Sequence, residues 1–198
     1  MKLKLLLTVG LAIGLTGCIS VKSYPDQKYS DLSFTNVTIP ANTSFNVTTE
    51  FQMNGKSKSA GKKQLDKVVE KVFAKAGIAN VPEGAQLSIL CNNIGDVGDA
   101  VAKGFGTGLT LGLAGSTVSD GYEFTFAMTD ASGTQTKAYN HVIHSTVGNA
   151  KAPIENVEGV TPLAAFEAIF EDVLLQYLKE MNASGDIALN STTTFLAP

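Results

Sequence analysis

The chain has 198 residues with 15 basic and 18 acidic side chains, a formal net charge of −3. Every basic residue is Lys; without Arg, the preferred bidentate reader of phosphate and guanine, the composition argues against nucleic-acid binding. With only two cysteines, Cys18 and Cys91, no disulfide framework is expected, and the length suits one domain plus tails.

MKLK opens the chain with two positive charges, Lys2 and Lys4, and an eleven-residue apolar run follows over 5–15. A spanning helix takes ~20 residues, so this reads as the h-region of a targeting signal. The run ends on Leu15-Thr16-Gly17-Cys18. This tetrapeptide resembles the lipobox of bacterial lipoproteins. The resemblance implies a signal peptide over 1–17, diacylglycerol on the Cys18 thiol, cleavage before Cys18 and acylation of the new amine. Two or more acyl chains anchor a protein stably. In the same family an Asp after the cysteine retains the protein at the inner membrane. Ile19 and Ser20 stand there instead, which implies the outer membrane with the domain facing the periplasm. Loss of 17 residues, two of them Lys, leaves 181 residues carrying 13 Lys against 18 acidic groups.

Residues 18–30 are polar, contain Pro25 and read as a lipidated tether. The single domain is expected over 31–182. Residues 31–39 (DLSFTNVTI) and Ser44–Met53 are rich in Val, Ile, Phe and Thr and predict two strands around a PANT turn. In the second, Phe45, Val47, Thr49, Phe51 and Met53 share one face. The period then changes: Leu65, Val68, Val69, Val72, Phe73 and Ala76 form one stripe of a helix over Ser59–Ala76, with Gly77 where a C-terminal cap belongs. On the opposite side Lys63, Lys67, Lys71 and Lys75 recur every fourth residue. They read as a solvated face, or alternatively as a basic strip for anionic headgroups.

Residues 85–94 predict a central strand with apolar residues on both faces. Cys91 lies in this run and reads as buried and inert. Tyr122, Phe124, Phe126 and Met128 alternate over 122–128; Asp130-Ala131-Ser132-Gly133 turns the chain, and 134–147 returns it. Thr161-Pro162 suits the N-cap and first turn of a last helix. Its buried stripe is Leu163, Phe166, Ile169, Phe170, Val173, Leu174, Tyr177, Leu178 and Met181. Residues 183–198 form a Ser/Thr-rich tail.

Between these elements lies a Gly-rich segment, 95–121, with KGFGTGLTLGLAG at its centre. It lacks the spacing of a P-loop or of GxGxxG, so phosphate binding is dropped. Gly104, Gly108 and Gly112 form a small-residue stripe of the kind that packs helices in membranes. At period 2, Phe105, Leu109, Leu111 and Leu113 share an apolar face instead, with Ser119-Asp120-Gly121 as the turn into the next strand. This hairpin is the favoured reading. Its leucines either complete the core or form an exposed contact surface for lipid or an envelope protein.

The expected fold is α+β, a two-layer sandwich of a mainly antiparallel sheet and two amphipathic helices in the order β-β-α-β-β-β-α. In topology it is similar to lipopolysaccharide-assembly lipoproteins and the auxiliary lipoproteins of lipid-transport complexes. His141 and His144, three apart on a strand, point to opposite faces and cannot share one ion. The acid pairs Asp96/Asp99, Glu155/Glu158 and Glu167/Glu171 have no histidine or nucleophile nearby in sequence. No catalytic, cofactor or metal site is therefore expected. The expectation is a non-catalytic accessory or assembly factor, membrane-bound through Cys18, that binds an envelope protein or lipid. An oligomeric pore and an envelope enzyme are its rivals.

Overall fold

A computed structural model describes residues 20–95, 116–130 and 133–184. In chain order the elements are β1 (Val21–Pro25), β2 (Ser44–Met53), β3 (Lys56–Ser57), α1 (Ser59–Ala76), β4 (Ala79–Asn80), β5 (Ala85–Gly95), β6 (Ser116–Asp130), β7 (Gly133–Val147) and α2 (Pro162–Ser184). The fold class is α+β. Seven strands form one open mixed sheet in the order β1-β7-β6-β5-β2-β3, with β4 also on β2. Most pairs are antiparallel, but β2 and β5 run parallel from Phe45↔Ala85 to Met53↔Asn93. A parallel neighbour requires a crossover connection, and α1 lies in it.

Period-2 patterning sorts the side chains onto two faces. Phe45 on β2, Leu87, Ile89 and Cys91 on β5, and Phe124, Phe126 and Met128 on β6 are buried under the helices. The α1 stripe meets them with Leu65, Val68, Val69, Val72 and Phe73, and the chain leaves that helix through Gly77 at φ 70°. Only glycine adopts this conformation without steric cost. Thr161 caps α2: its hydroxyl accepts the Ala164 N–H at 3.2 Å. Helix α2 then buries Phe166, Ile169, Phe170, Val173, Leu174, Tyr177, Leu178 and Met181, and also Leu175. Phe126 stacks on Tyr177 with centroids 4.8 Å apart.

Several expectations need correction. Residues 31–39 form turns, not a strand. The Asn36 carboxamide accepts the Ser33 N–H at 2.8 Å and donates to Asp31 C=O at 2.7 Å, and Ser33 bonds Thr35. Such local side-chain bonds offer the backbone an alternative to a ladder. The stretch still contributes to the core, with Val37 buried and Leu32, Phe34 and Ile39 packed beside it. Within the expected tether, Val21–Pro25 is a strand, paired along its length with β7. Val160 bridges the other side of Ser23 through bonds of 2.8 and 2.9 Å.

Ser119-Asp120-Gly121 is no turn. It lies inside β6, facing His144, Ile143 and Val142 of β7. The long β7 pairs residue for residue back to Ser116, and that ladder outweighs the local turn chemistry. The hairpin drawn through that turn is therefore overturned, and residues 105–113 lie outside the described residues. Strand β5 is central, but its second face is not a buried one: Gln86, Ser88 and Ile94 are exposed. The turn between β6 and β7 falls where expected, between the paired Asp130 and Gly133. Leu163 departs from the α2 stripe and is 45% exposed.

Candidate functional site

The exposed Leu163 marks a groove where both helices begin. Gly61 in the first turn of α1 lets the Phe51 ring lie against the helix; a Cβ there would sit 2.1 Å from Phe51 Cδ1. Phe166 of α2 meets Phe51 edge-on at 6.4 Å and Tyr122 at 5.5 Å. Phe51, Gly61, Gln64, Tyr122, Pro162, Leu163 and Phe166 line a groove of about 290 Å³. Met53, on the helix-facing side of β2 and two residues beyond Phe51, is 44% exposed. At this end of the sheet β5 finishes at Gly95 and β6 starts at Ser116.

The polar groups at this end are few and specific. Asp120 and Asn93 extend the helix-facing rows of β6 and β5. Burial pushes the Asp120 carboxyl above its ordinary range, and a hydrogen bond from Asn93 only partly offsets this. Burial, with the Asp120 charge second, pushes the Tyr122 hydroxyl far up as well. A mostly apolar groove suits an apolar side chain or acyl chain.

The lysine strip is divided. Lys71 Nζ binds Glu167 at 2.6 Å, and Lys75 Nζ binds Glu171 at 2.7 Å while lying 5.0 Å over the Phe34 ring. These two lysines, and both acids of that expected pair, join α1 to α2. Lys63 and Lys67 remain exposed. Glu155 and Glu158 are exposed in the connection before α2. Leu15, Thr16, Gly17, Cys18, Asp96, Asp99, Phe105, Leu109, Leu111 and Leu113 lie outside the described residues. Cys91 is fully buried, and burial pushes its thiol far up, which keeps it from forming the reactive thiolate.

The fold also assembles a constellation with no local trace in the sequence. The His141 side chain is completely buried on β7. Its Nε2 lies 3.0 Å from the Lys28 carbonyl and 3.5 Å from Asp172 Oδ2 of α2. Its Nδ1 abuts Asp26 Oδ1. Val142 N–H stands 3.2 Å from the same nitrogen. The His141 ring thus touches Asp26 and Lys28 after β1 and Asp172 on α2. It clamps the segment after β1 and the middle of α2 onto the sheet. On the outer face, the Ser119 hydroxyl and His144 Nδ1 are 2.7 Å apart. Among the described residues no three His, Cys, Asp or Glu are grouped to hold a metal ion, and no helix is long and apolar enough to cross a membrane.

No family model matches the chain, and no curated protein does. Among solved structures it is similar to rare lipoprotein B from Shewanella oneidensis, with 11% identity, a TM-score of 0.34, and coverage of 74% of this chain and 98% of that one. At that TM-score the two chains share too little geometry for one to inform the other.

Proposed function

We propose that this chain is an outer-membrane lipoprotein, held by acylated Cys18, whose periplasmic domain is a non-catalytic accessory factor that binds an envelope protein or lipid. The apolar groove at the start of α1 and α2 carries the binding half of this reading. There Leu163 and Met53 are left exposed beside a concave apolar lining, whereas the other exposed large apolar residues, Val21, Ile94 and Val160, line no such groove. Exposed apolar clusters of this kind mark contact sites. Phe105, Leu109, Leu111 and Leu113, which lie outside the described residues, are proposed as further partner contacts on the strength of their sequence pattern alone. Lys63 and Lys67 supply the charge for a nearby anionic headgroup layer. The lipobox Leu15-Thr16-Gly17-Cys18 carries the anchoring half.

Labelling cells with a palmitate analogue and fractionating their membranes tests the anchor. The full-length chain takes up label and sediments with the outer membrane, and Cys18→Ala does neither. An unlabelled wild-type chain in the periplasmic fraction would overturn it. For the contact surface, replacing Leu163 together with Leu109 and Leu111 by Ser abolishes partner or lipid association while the domain keeps its melting behaviour. Unchanged association would contradict the reading.

A further inference from the structure

The outer margin of β2 is paired only at its ends. β4 meets Ser44 and Phe45 in parallel, and β3 meets Gln52 and Met53 antiparallel. Between these pins, among the described residues, 46–51 has no strand on that side. Three bonds fix which backbone groups point outward. Phe45 C=O accepts the Val81 N–H at 2.9 Å, Val47 N–H donates to Asn80 Oδ1 at 3.1 Å, and Phe51 C=O accepts the Lys58 N–H at 2.8 Å. Odd-numbered residues therefore face out. Thr49 presents both its N–H and its C=O there, alongside Val47 C=O and Phe51 N–H.

Such a row is a template for another strand, and edges are ordinarily blunted by proline, bulges or inward charges. Residues 46–51 (NVTTEF) hold no proline or glycine. A cleft of about 630 Å³ separates this edge from α1, with Val47, Thr49 and Val69 on its walls and Lys62, Asp66, Glu70 and Asn80 around them. Lys62 binds both oxygens of Asp66, at 2.9 and 3.0 Å, and Thr49 Oγ1 donates to the same carboxylate. Glu70 is exposed and has no ion pair among the described residues.

We propose that the 46–51 edge of β2 docks an extended segment of a partner protein, which adds as a strand between β3 and β4 and sets a basic side chain against Glu70. Six residues of strand span ~20 Å, so the docked segment is short. The β2 backbone supplies sequence-independent bonds, and the cleft beside α1 selects the side chain. This surface meets the apolar groove only at Phe51, and its test turns on Thr49 and Glu70, which do not line the groove.

The test pans the detergent-solubilised full-length chain against a phage-displayed pool of random decapeptides, then measures the selected peptide, synthesised, by calorimetry. The selected peptides carry Lys or Arg. Thr49→Pro, which removes an outward N–H that makes no ladder bond and so leaves the sheet intact, weakens binding by at least about tenfold. Thr49→Val, which loses only the hydroxyl, binds like wild type. Glu70→Gln weakens peptides with a basic residue. If Thr49→Pro does not fold, amide exchange in the wild-type protein reads the same point: Thr49 and Phe51 exchange freely alone and become protected with peptide. Failure to select any peptide, binding indifferent to Thr49→Pro, or Thr49 and Phe51 amides already protected in the free chain would overturn the proposal.

Discussion

The part of the sheet under α2 and the margin formed by β2 and the helix starts are built from the same alternating patterns, yet they end differently. Under α2, Phe124, Phe126, Phe170 and Tyr177 close the layer, and His141 ties Asp26 and Asp172 across it. Even the edge strand β1 is bridged by Val160. On the outer side of β2 the backbone is paired, among the described residues, only at its ends, and at the helix starts Leu163 and Met53 stay exposed. One region invests its side chains in stability. The other leaves apolar surface and backbone groups unspent, which is where a partner gains most by binding.

The largest effects are expected in the closed region. Phe170→Ala should cost ~3–5 kcal/mol of unfolding free energy in a urea titration. Leu163→Ser should stay within ~0.5 kcal/mol, as for other surface changes. Comparable losses at the two positions would erase the distinction. Next comes His141→Leu, which removes the buried ring that meets Lys28 C=O, Asp26 and Asp172 and should cost ~1–3 kcal/mol. Replacing Asp26 by Leu as well should cost clearly less than the sum of the single changes, and additive losses would show that the clamp is not a coupled unit.

At the boundary of the regions, Gly61→Ala sets a helix gain of up to ~1 kcal/mol against a clash with the Phe51 ring worth ~1–3 kcal/mol. A net loss, with altered Phe51 ring signals by NMR, is the expected outcome. Asp120→Asn should be stabilising near neutral pH. Burial raises the folded-state value of this carboxyl, so the folded protein binds a proton more readily than the unfolded chain. The carboxylate therefore weakens the fold above its raised value, and the penalty disappears as pH falls. Thermal melts should show the Asn variant gaining near pH 7 and matching wild type near pH 3, below the ordinary aspartate value of ~3.9. The smallest effect is none at all: Cys91 in the folded domain should not react with maleimide until urea unfolds it.

Much of the frame was legible because long periodic runs overdetermine their structure. Ser44–Met53 and Ser59–Ala76 begin and end where alternation and the 3.6-residue stripe place them. Thr161-Pro162 likewise starts α2. Local chemistry misled in both directions. Val, Phe, Thr and Ile over 31–39 promise a strand, but Ser33, Thr35 and Asn36 bond within the turn. Ser119-Asp120-Gly121 promises a turn, but the β7 ladder holds it straight. Strand β1 was hidden because five polar-leaning residues become a strand only when β7 is beside them. The site was less legible than the fold. Leu163 looked like a core residue because its position continues the α2 stripe, and only the end of the sheet leaves it uncovered. Asp26, His141 and Asp172 meet from three distant stretches of chain, a juxtaposition that no spacing rule reveals.

The most direct test of the account is photo-crosslinking in intact cells from position 163 of the full-length lipidated chain, with position 88, exposed on the opposite face of β5, as the control. A discrete protein or lipid adduct from 163 and none from 88 is the predicted result, because the proposed contact surface is the apolar groove that Leu163 lines. Crosslinks from 163 that stay within the chain, or equal adducts from both positions, would contradict the claim that this end of the domain is its binding surface.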